Sequence, residues 1–319
     1  MKILAADDDE FTLELLTMMS ERLGFSDFTT ALSGKMALKL LYNGNVQFDC
    51  LLIDVKMPDM DGIELCSIVR TIPAYRNTPI IMLTTVKERS FIDRAFKAGA
   101  TDYANKSFDV VELGSHLHMA EEVIVAQRAA KSARATSNGP RLGIGHQHPF
   151  ELCDMVPIEG VDGLIAYSAL GNYMTQLSHS GLGGSQIMAV KVKNIEVIDA
   201  CASSEERLCV LTNVADAIGD VFRTNGYMMA YAGNGAFVIV TRKVNRAQTN
   251  DLQDELQKRL DVKTPVSDQL SPIDIEISLG NPIRPSTSRP ERILKIFDRA
   301  IKRVESQVEK GNDHSSQLG

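Results

Sequence analysis

The chain of 319 residues lacks long apolar runs, an excess of basic residues and paired cysteines. No apolar run reaches 18 residues, which predicts that no helix spans a membrane. The apolar start at Met1–Ala6 meets three aspartates and is too short for a signal peptide, so we expect a cytoplasmic protein. A net charge of −7 without a basic tail argues against a protein that coats nucleic acid or an anionic membrane.

Side chains that could bind a metal or form disulfides are few and poorly spaced. The five cysteines are an odd number without a CxxC pair, and their mostly apolar neighbours predict reduced, buried thiols. His116 and His118 flank one residue, as do His146 and His148, and neither spacing places two imidazoles one helical turn apart. We therefore expect packed or solvated histidines rather than a metal site.

The most informative stretch of the chain is FDCLLIDVKMPDMDG, which runs from Phe48 to Gly62. Its apolar part is too short for a helix, ends on Asp54 and is followed by proline and glycine turn signals. This pattern predicts a buried parallel strand that delivers Asp54 to the carboxyl edge of a sheet, where open α/β sheets bind their ligands. Taken alone, Asp54 could equally be a residue that caps a turn.

Residues 1 to about 120 alternate short apolar runs with amphipathic segments. Five βα units in a row predict a doubly wound, five-stranded parallel sheet of the flavodoxin-like kind, with helices on both faces. Ser33 and Asp109 are residue types that begin helices. The predicted strands are 2–6, 28–31, 48–53, 79–83 and 102–104, and the predicted helices are 10–23, 34–42, 62–72, 87–98 and one that begins at 109.

Polar residues follow the predicted strands at the edge where parallel strands end side by side. Asp7 and Asp8 follow the first strand and Asp54 follows the third, while Thr84 and Lys106 follow the fourth and fifth. Clustered acids favour a shared cation, and hard oxygen ligands suit Mg²⁺, so we predict a magnesium ion held by Asp8 and Asp54, with Asp7 orienting a bound water. Asp54 would then be a nucleophile that forms an aspartyl phosphate. Lys106 and Thr84 would contact the phosphoryl oxygens.

The motifs ILAADDDE, LLIDVKMPDMDG, PIIMLTT and AGATDYANKSF resemble those of the receiver domain of two-component response regulators. Thr84 lies 30 residues and Lys106 lies 52 residues after Asp54, as the family pattern requires. The resemblance implies that Asp54 is the phosphoacceptor and that a histidine kinase or phosphotransfer protein is the partner. It also implies the backbone carbonyl of Lys56 as a further metal ligand. Tyr103 is either the aromatic residue that moves with phosphorylation or a half-buried strand residue.

Ser107 departs from the family pattern, because a proline in a cis peptide usually follows the lysine. A cis bond before a residue other than proline costs roughly 2.5–4 kcal/mol. We therefore expect a trans or strained loop after Lys106, with phosphorylation preserved.

The helical pattern that begins at Asp109 continues without a breaker from Gly114 to Asn138-Gly139-Pro140. It predicts one helix that reaches about Arg134, followed by a flexible linker. The apolar stripe of this helix has two interpretations: it pairs with a second copy to give a homodimer, or it packs on its own domain.

Residues 151 to 310 predict an α/β domain with a mixed sheet and an antiparallel hairpin. Asn234-Gly235 between two apolar runs is a strong hairpin signal. The predicted strands are 186–192, 227–232, 236–241 and 274–279, and the predicted helices are 163–178, 204–224, 245–260 and 289–309.

This second segment resembles the diguanylate cyclase, or GGDEF, domain through the frame motifs at 161–164, 231–237 and 277–280. The resemblance implies metal-binding acids in the first strand and in the hairpin, but Lys191, Gly235 and Ala236 stand at those positions. None of these side chains can bind a cation, so we predict an output domain without cyclase activity that binds another protein. The alternative is an active or nucleotide-binding domain that takes part in cyclic di-GMP signalling.

The sequence as a whole predicts a response regulator. Its parts would be a receiver domain at 1–120, an extended helix and flexible linker at 121–150, a degenerate GGDEF-like domain at 151–310 and a disordered tail at 311–319. Phosphorylation would shift the population of a two-state surface and act on an unidentified downstream protein through the second domain. No nucleic-acid or membrane partner is expected.

Overall fold

The computed structural model of the chain divides into two compact units, Met1–Leu142 and Gly143–Gly319. The structure describes residues 1–44, 46–85, 88–106, 109–136, 151–156, 158–179, 184–242, 244, 249–263, 274–285 and 290–315. Ser107 and most of the predicted linker lie outside these residues. Within them, no helix combines the length and apolar character that a bilayer crossing needs.

The first unit is built on a five-stranded sheet in the order β2-β1-β3-β4-β5, and all four neighbouring pairs are parallel. The predicted doubly wound parallel sheet is therefore confirmed. Strands β1, β3 and β4 are buried along their whole length, as near-continuous apolar sequences require when helices cover both faces. The strands are β1 Ile3–Ala6, β2 Phe28–Ala31, β3 Cys50–Asp54, β4 Ile80–Thr84 and β5 Asp102–Asn105.

The helices of the first unit begin at capping residues that the sequence supplies. The Ser33 hydroxyl accepts a hydrogen bond from the Met36 backbone N–H at 3.2 Å, and Asp109 accepts from the Val111 N–H at 2.9 Å. Both residues were predicted to begin helices. The helices are α1 Glu10–Arg22, α2 Gly34–Tyr42, α3 Gly62–Thr71, α4 Arg89–Lys97 and α5 Val110–Thr136, with a short 3₁₀ turn at Pro73–Tyr75.

Helix α5 is the long helix predicted after Asp109, and it packs on its own unit for much of its length. The Arg128 guanidinium contacts the Asp49 carboxylate at 2.6 Å, and the Gln127 amide donates to the Asn77 carbonyl at 3.2 Å. The helix therefore lies against the first unit as far as Arg128, which favours local packing over a free stripe. Pairing with a second copy stays a prediction. The buried apolar residues of α5 are Leu113, Leu117, Ala120 and Ile124.

A buried ion pair fastens α5 to β5. His116 Nδ1 lies 2.5 Å from Asp102 Oδ2, and both side chains are at least nine-tenths buried. The other Asp102 oxygen accepts from the Tyr103 N–H at 2.8 Å. Burial alone would lower the pKa of His116, but the hydrogen bond and charge of Asp102, helped by Glu112, outweigh burial and raise it.

We expect this ion pair to make the stability of the first unit depend on pH. A raised histidine pKa adds stability that is fully present below the unfolded pKa of about 6.5 and is lost as the pH rises through the folded pKa. His116→Gln should therefore lower the free energy of unfolding by about 1–3 kcal/mol below about pH 6 and by less at a pH above the folded pKa. Denaturant unfolding at one pH in each of these two ranges measures the difference. His118→Gln is the control, because His118 is exposed and its ring contacts Phe25 in a tilted arrangement, with 5.4 Å between the ring centroids. An equal loss at both pH values would contradict the prediction.

The second unit contains a four-stranded sheet in the order β7-β8-β6-β9. The four strands pair antiparallel throughout, and within the described residues the parallel component of the predicted mixed sheet is limited to one bridge between Leu164 and Met229 of β7. Strands β6 and β7 run in the same direction, but they do not pair with each other, because β8 lies between them. The strands are β6 Gln186–Val192, β7 Tyr227–Tyr231, β8 Ala236–Thr241 and β9 Ile277–Leu279.

The predicted hairpin is confirmed between β7 and β8. Asn234 and Gly235 have φ angles of 50° and 68°, the left-handed region that a tight hairpin turn requires. Asparagine and glycine tolerate that region best, which explains why this dipeptide marks the turn.

The helices of the second unit differ from the prediction at three places. Helix α6 begins at Tyr167 rather than at Gly163, which lies in a turn with a φ angle of 72°. The seven-residue helix α7 was not predicted, because it is too short to show a helical period. Helix α10 continues to Ser315, so the first residues of the predicted disordered tail are helical; a single glycine at Gly311 costs too little to end a formed helix. The helices are α6 Tyr167–His179, α7 Ile195–Cys201, α8 Ser204–Phe222, α9 Thr249–Lys263 and α10 Pro290–Ser315.

All five cysteines are free thiols, but the predicted burial holds for two of them only. Cys50 and Cys66 are buried in the first unit, and burial raises the pKa of Cys50 to about 12 and that of Cys66 to about 11. Cys153, Cys201 and Cys209 are exposed. Apolar sequence neighbours did not indicate burial there, because these residues lie in a turn, at a helix end and on the solvent side of α8.

Candidate functional site

Three carboxylates meet at the carboxyl edge of the first sheet. Strand β1 pairs with β3 through Ala6 and Ile53, so the next residues, Asp7 and Asp54, lie side by side. Carboxylate oxygens of Asp7, Asp8 and Asp54 all lie within 4.8 Å of one another. Asp7 and Asp54 are buried, whereas Asp8 is exposed, so the cluster is open to solvent on the side of Asp8.

The ammonium group of Lys106 bridges two of these acids. Lys106 Nζ lies 2.7 Å from Asp7 Oδ2 and 2.9 Å from Asp54 Oδ1. The Lys106 backbone N–H donates to the Thr84 carbonyl at 2.8 Å, which continues the pairing of β5 with β4 beyond the ends of the strands. Burial lowers the pKa of Lys106, but the hydrogen bonds and charges of Asp7 and Asp54 outweigh burial and raise it. Lys106 is therefore a permanent cation in this pocket.

Several neighbours and burial have opposing effects on the pKa of Asp54. Burial raises the pKa of the Asp54 carboxyl, and the hydrogen bond and charge of Lys106 oppose that effect without cancelling it. The Asp7 charge adds to the rise in pKa, and a hydrogen bond from the Lys56 backbone opposes it. Burial thus destabilises the carboxylate, while the Lys106 ammonium group and the Lys56 N–H hold it in place.

The donor set fits a hard divalent cation. Carboxylate oxygens are ligands that Mg²⁺ prefers, and the exposed side of the cluster leaves room for the water molecules that Mg²⁺ retains. A divalent cation would also relieve the repulsion among the three acids, of which Lys106 contacts Asp7 and Asp54. In the described part of the chain, this cluster is the one group of three or more potential ligands.

Thr84 and Tyr103 form a second polar pair beside the acids. Both side chains are buried, and a hydrogen bond joins them. Burial raises the pKa of the Tyr103 hydroxyl, and the Asp54 charge adds to the rise, which places this hydroxyl within electrostatic reach of the pocket. Tyr103 is therefore a buried residue in this structure rather than a half-buried one. Contact between Thr84 and a phosphoryl group stays a prediction.

Lys56 contributes to the pocket through its backbone. Its N–H hydrogen-bonds the Asp54 carboxylate, while its ammonium group is exposed and lies 6.0 Å from the centroid of the Phe91 ring on α4. Ligation of a metal by the Lys56 carbonyl stays a prediction.

Gly62 is a residue of the site that the sequence analysis did not single out. A β-carbon at this position would lie 1.9 Å from the Asp54 carbonyl oxygen and 2.8 Å from Ile53 Cγ2. The first turn of α3 therefore approaches β3 more closely than any side chain allows. The glycine after Met60-Asp61 was read as a turn signal, but its closeness to β3 is a tertiary feature.

We expect Gly62→Ala to destabilise the first unit by about 1–3 kcal/mol or more, because the rigid backbone of β3 cannot move away. Gly34→Ala is a matched control, since Gly34 also begins a helix and its β-carbon would meet the flexible Met60 side chain at 3.0 Å. Denaturant unfolding of both variants measures the difference. Equal midpoints for the two variants would contradict the close approach.

The hairpin of the second unit has no acid at the positions where the resemblance places metal ligands. The Lys191 side chain is largely buried; its ammonium group donates to the Asn234 carbonyl at 2.5 Å and lies 3.8 Å from Glu305. Neighbouring atoms also occupy the space that a β-carbon on either turn glycine would need. A β-carbon on Gly233 would lie 2.4 Å from the Cys153 carbonyl oxygen, and one on Gly235 would lie 2.8 Å from Ile195.

The backbone N–H groups of this turn have partners inside the second unit. The Asn234 N–H donates to the Leu152 carbonyl at 2.7 Å, and the Gly235 N–H donates to the Tyr231 hydroxyl at 3.1 Å. The Ala236 N–H donates to the Gly233 carbonyl at 2.9 Å. A phosphate bound here would have to break these hydrogen bonds.

Comparison with known proteins gives a consistent result for the first unit. The family model of the response regulator receiver domain matches residues 3–118. The chemotaxis protein CheY of Pseudomonas aeruginosa is 36% identical over 108 residues, which are 34% of this chain and 86% of CheY. The two-component response regulator ARR10 of Arabidopsis thaliana is 32% identical over 139 residues, which are 44% of this chain and 24% of ARR10.

A solved structure of the chemotaxis protein CheY4 of Vibrio cholerae is 31% identical and covers 37% of this chain and 97% of that chain, with a TM-score of 0.36. This chain spans only about a quarter of the length of ARR10. The match to CheY covers most of that protein, and the residues matched by the family model include all five strands of the sheet that carries Asp54. Through residues 3–118, the chain therefore belongs to the response regulator receiver family.

Proposed function

We propose that this protein is a response regulator in which Asp54 accepts a phosphoryl group from a histidine kinase or phosphotransfer protein. The observation that carries the proposal is the bridging of Asp7 and Asp54 by Lys106, with Asp8 beside them. A receiver domain implies such a phosphodonor partner. The cluster supplies a nucleophile, a fixed cation and an acidic site for a second cation within one pocket.

Asp54, Lys106 and Thr84 each have a different role in the proposed phosphoryl transfer. An Asp54 oxygen attacks the phosphorus of a phosphohistidine, the P–N bond breaks, and the leaving imidazole takes a proton from solvent. Lys106 would neutralise charge on the phosphoryl oxygens, and Thr84 would donate a hydrogen bond to them. Thr84 would exchange its bond to Tyr103 for that contact, which makes Tyr103 the residue that responds to phosphorylation.

Asp7, Asp8, Asp54 and the carbonyl of Lys56 would hold Mg²⁺ in this pocket. The ion would supply positive charge that offsets the charge of the transferring phosphoryl group. Asp8 is exposed, so the ion would enter the pocket from the side of Asp8. Asp7 is oriented by its contact with Lys106.

Intact-mass measurement tests the proposal directly. The full chain incubated with Mg²⁺ and acetyl phosphate should gain the mass of one phosphoryl group, and chelation of the metal should prevent the gain. An unchanged mass under conditions that modify purified CheY would contradict the proposed function.

For the second unit we propose an output domain that has a GGDEF-like frame, lacks cyclase activity and acts by binding another protein. Lys191 supports this proposal, because it stands at the strand position where the resemblance implies an acidic metal ligand, and an ammonium group would repel a cation. The internal hydrogen bonds of the turn from Gly233 to Gly235 argue in the same direction. The alternative is an active or nucleotide-binding domain of cyclic di-GMP signalling.

Incubation of the full chain with GTP and Mg²⁺ or Mn²⁺, followed by chromatography, distinguishes an inactive output domain from an active cyclase. We expect unchanged GTP, and calorimetric titration with GTP or cyclic di-GMP should release no heat of binding. A cyclic dinucleotide product would overturn the proposal for the second unit and leave that for the first unit intact.

A further inference from the structure

Asp9, the third acid of the run from Asp7 to Asp9, is the N-cap of α1. Its Oδ1 accepts from the Phe11 backbone N–H at 3.1 Å, and its Oδ2 accepts from the Thr12 hydroxyl at 2.9 Å. The backbone of Asp9 is extended, with φ −97° and ψ 110°, as an N-cap requires. Both carboxylate oxygens of Asp9 are thus engaged with α1, and Asp9 is not one of the converging acids.

The backbone N–H of Asp9 forms a hydrogen bond to the acidic cluster. This N–H donates to Asp7 Oδ1 at 3.1 Å, while Lys106 contacts the other Asp7 oxygen at 2.7 Å. Asp7 is completely buried, so these two contacts fix the plane of its carboxylate. A chain of hydrogen bonds therefore runs from the buried Thr12 hydroxyl through Asp9 to Asp7.

We propose that Asp9 and Thr12 are positioning residues that set the orientation of Asp7 for a divalent cation. This inference rests on the metal site under the proposed function. The Asp9 side chain holds the Asp9 backbone in the N-cap conformation, and that conformation aims the Asp9 N–H at Asp7. Hydrogen-bond partners of ligating carboxylates commonly tune metal affinity without touching the metal.

A positioning role and a ligand role make different demands on residue 9. A ligand or a purely electrostatic contributor needs the negative charge, whereas an N-cap needs only a side-chain oxygen, and asparagine caps helices about as well as aspartate. Asp9→Asn therefore keeps the proposed role, and Asp9→Ala removes it. Thr12→Val removes the hydroxyl at constant shape and leaves every carboxylate in place, while Thr12→Ser restores the hydroxyl.

Calorimetric titration of the full chain with Mg²⁺ tests the proposal. We expect Asp9→Ala to weaken Mg²⁺ binding by about tenfold or more, and Thr12→Val to weaken it in the same direction. Asp9→Asn should stay within about threefold of the unsubstituted protein, since asparagine keeps the side-chain oxygen that caps the helix. Thr12→Ser should restore the affinity that Thr12→Val loses.

Two control variants separate positioning from loss of stability. Ser33→Ala removes the N-cap of α2, and Thr17→Val removes another hydroxyl of α1, one that donates to the Leu13 carbonyl at 2.8 Å. Thermal unfolding should show similar losses for the Ser33→Ala and Asp9→Ala variants. The Mg²⁺ affinity should fall in Asp9→Ala and stay unchanged in both controls.

The possible outcomes are distinct. Equal Mg²⁺ affinity of Asp9→Ala and the unsubstituted protein overturns the positioning role and leaves the metal site standing. Equal weakening by Asp9→Asn and Asp9→Ala also overturns it, because charge would then be the requirement. No Mg²⁺ binding by the unsubstituted protein overturns the metal site of the proposed function and this role with it.

Discussion

Replacement of Asp54 by asparagine should abolish phosphorylation by acetyl phosphate, so that the intact mass stays that of the unmodified chain. The amide lacks the anionic oxygen that attacks phosphorus, and no other carboxylate of the cluster is placed in the same way. Asp7 is completely buried and held by Lys106 and the Asp9 N–H, and Asp8 faces solvent without a described ammonium partner. The expected loss is complete.

Asp59→Asn is the matched control for this variant. Asp59 lies in the loop that follows Asp54, is exposed, and forms a 3.0 Å ion pair with Lys35 outside the pocket. It should be phosphorylated as fast as the unsubstituted chain. A phosphoryl adduct that persists in Asp54→Asn would assign the acceptor role to another residue.

Lys106→Met should lower the free energy of unfolding of the first unit by about 3–5 kcal/mol when no divalent cation is present. Lys106 is the ammonium group between two buried acids, and its removal leaves Asp7 and Asp54 in mutual repulsion. Methionine has a similar volume, so the effect is mainly electrostatic. Denaturant unfolding in the presence of a chelator measures it.

Mg²⁺ should restore part of this stability. A cation that binds only the folded state stabilises it by mass action, and Lys106→Met should gain more from Mg²⁺ than the unsubstituted protein does. Adding Asp54→Asn to Lys106→Met should also recover stability, because one buried charge is removed. Lys35→Met is the control, since its ion pair with Asp59 is exposed and should contribute little. Equal stability of the Lys106→Met and Lys35→Met variants would contradict the buried bridge.

The fold of the first unit was predictable because its short sequence patterns mark each strand and helix, and because those elements pack in the order in which parallel βα units normally pack. Buried strands such as β3 are short apolar runs that end on turn residues, and helices such as α2 begin at serine, so the bounds follow from patterns within about ten residues. The convergence of Asp7, Asp54 and Lys106 also follows from sequence, because parallel strands place their carboxyl ends together.

Features that depend on contacts between distant elements could not be predicted. The pairing of His116 with Asp102 joins a helix to a strand, and neither residue has an unusual neighbour in sequence. The closeness of Gly62 to the Asp54 carbonyl depends on how α3 packs against β3. The role of Asp9 could have been found, since an acid before an apolar helical period is an N-cap signal.

The second unit was less predictable because its sheet order does not follow its chain order. The hairpin at Asn234-Gly235 was visible because its turn demands particular residues. The insertion of β8 between β6 and β7 leaves no local signal, and α7 has only two buried residues, Ile195 and Ile198.

Mapping the phosphorylated residue tests the central claim most directly. Borohydride reduces an aspartyl phosphate to homoserine, so peptide mass spectrometry after treatment with Mg²⁺ and acetyl phosphate identifies the acceptor. The pocket of Asp7, Asp8 and Lys106 predicts homoserine at position 54 and at no other aspartate. Homoserine at a different position, or none in a chain that has gained phosphoryl mass, would contradict the account.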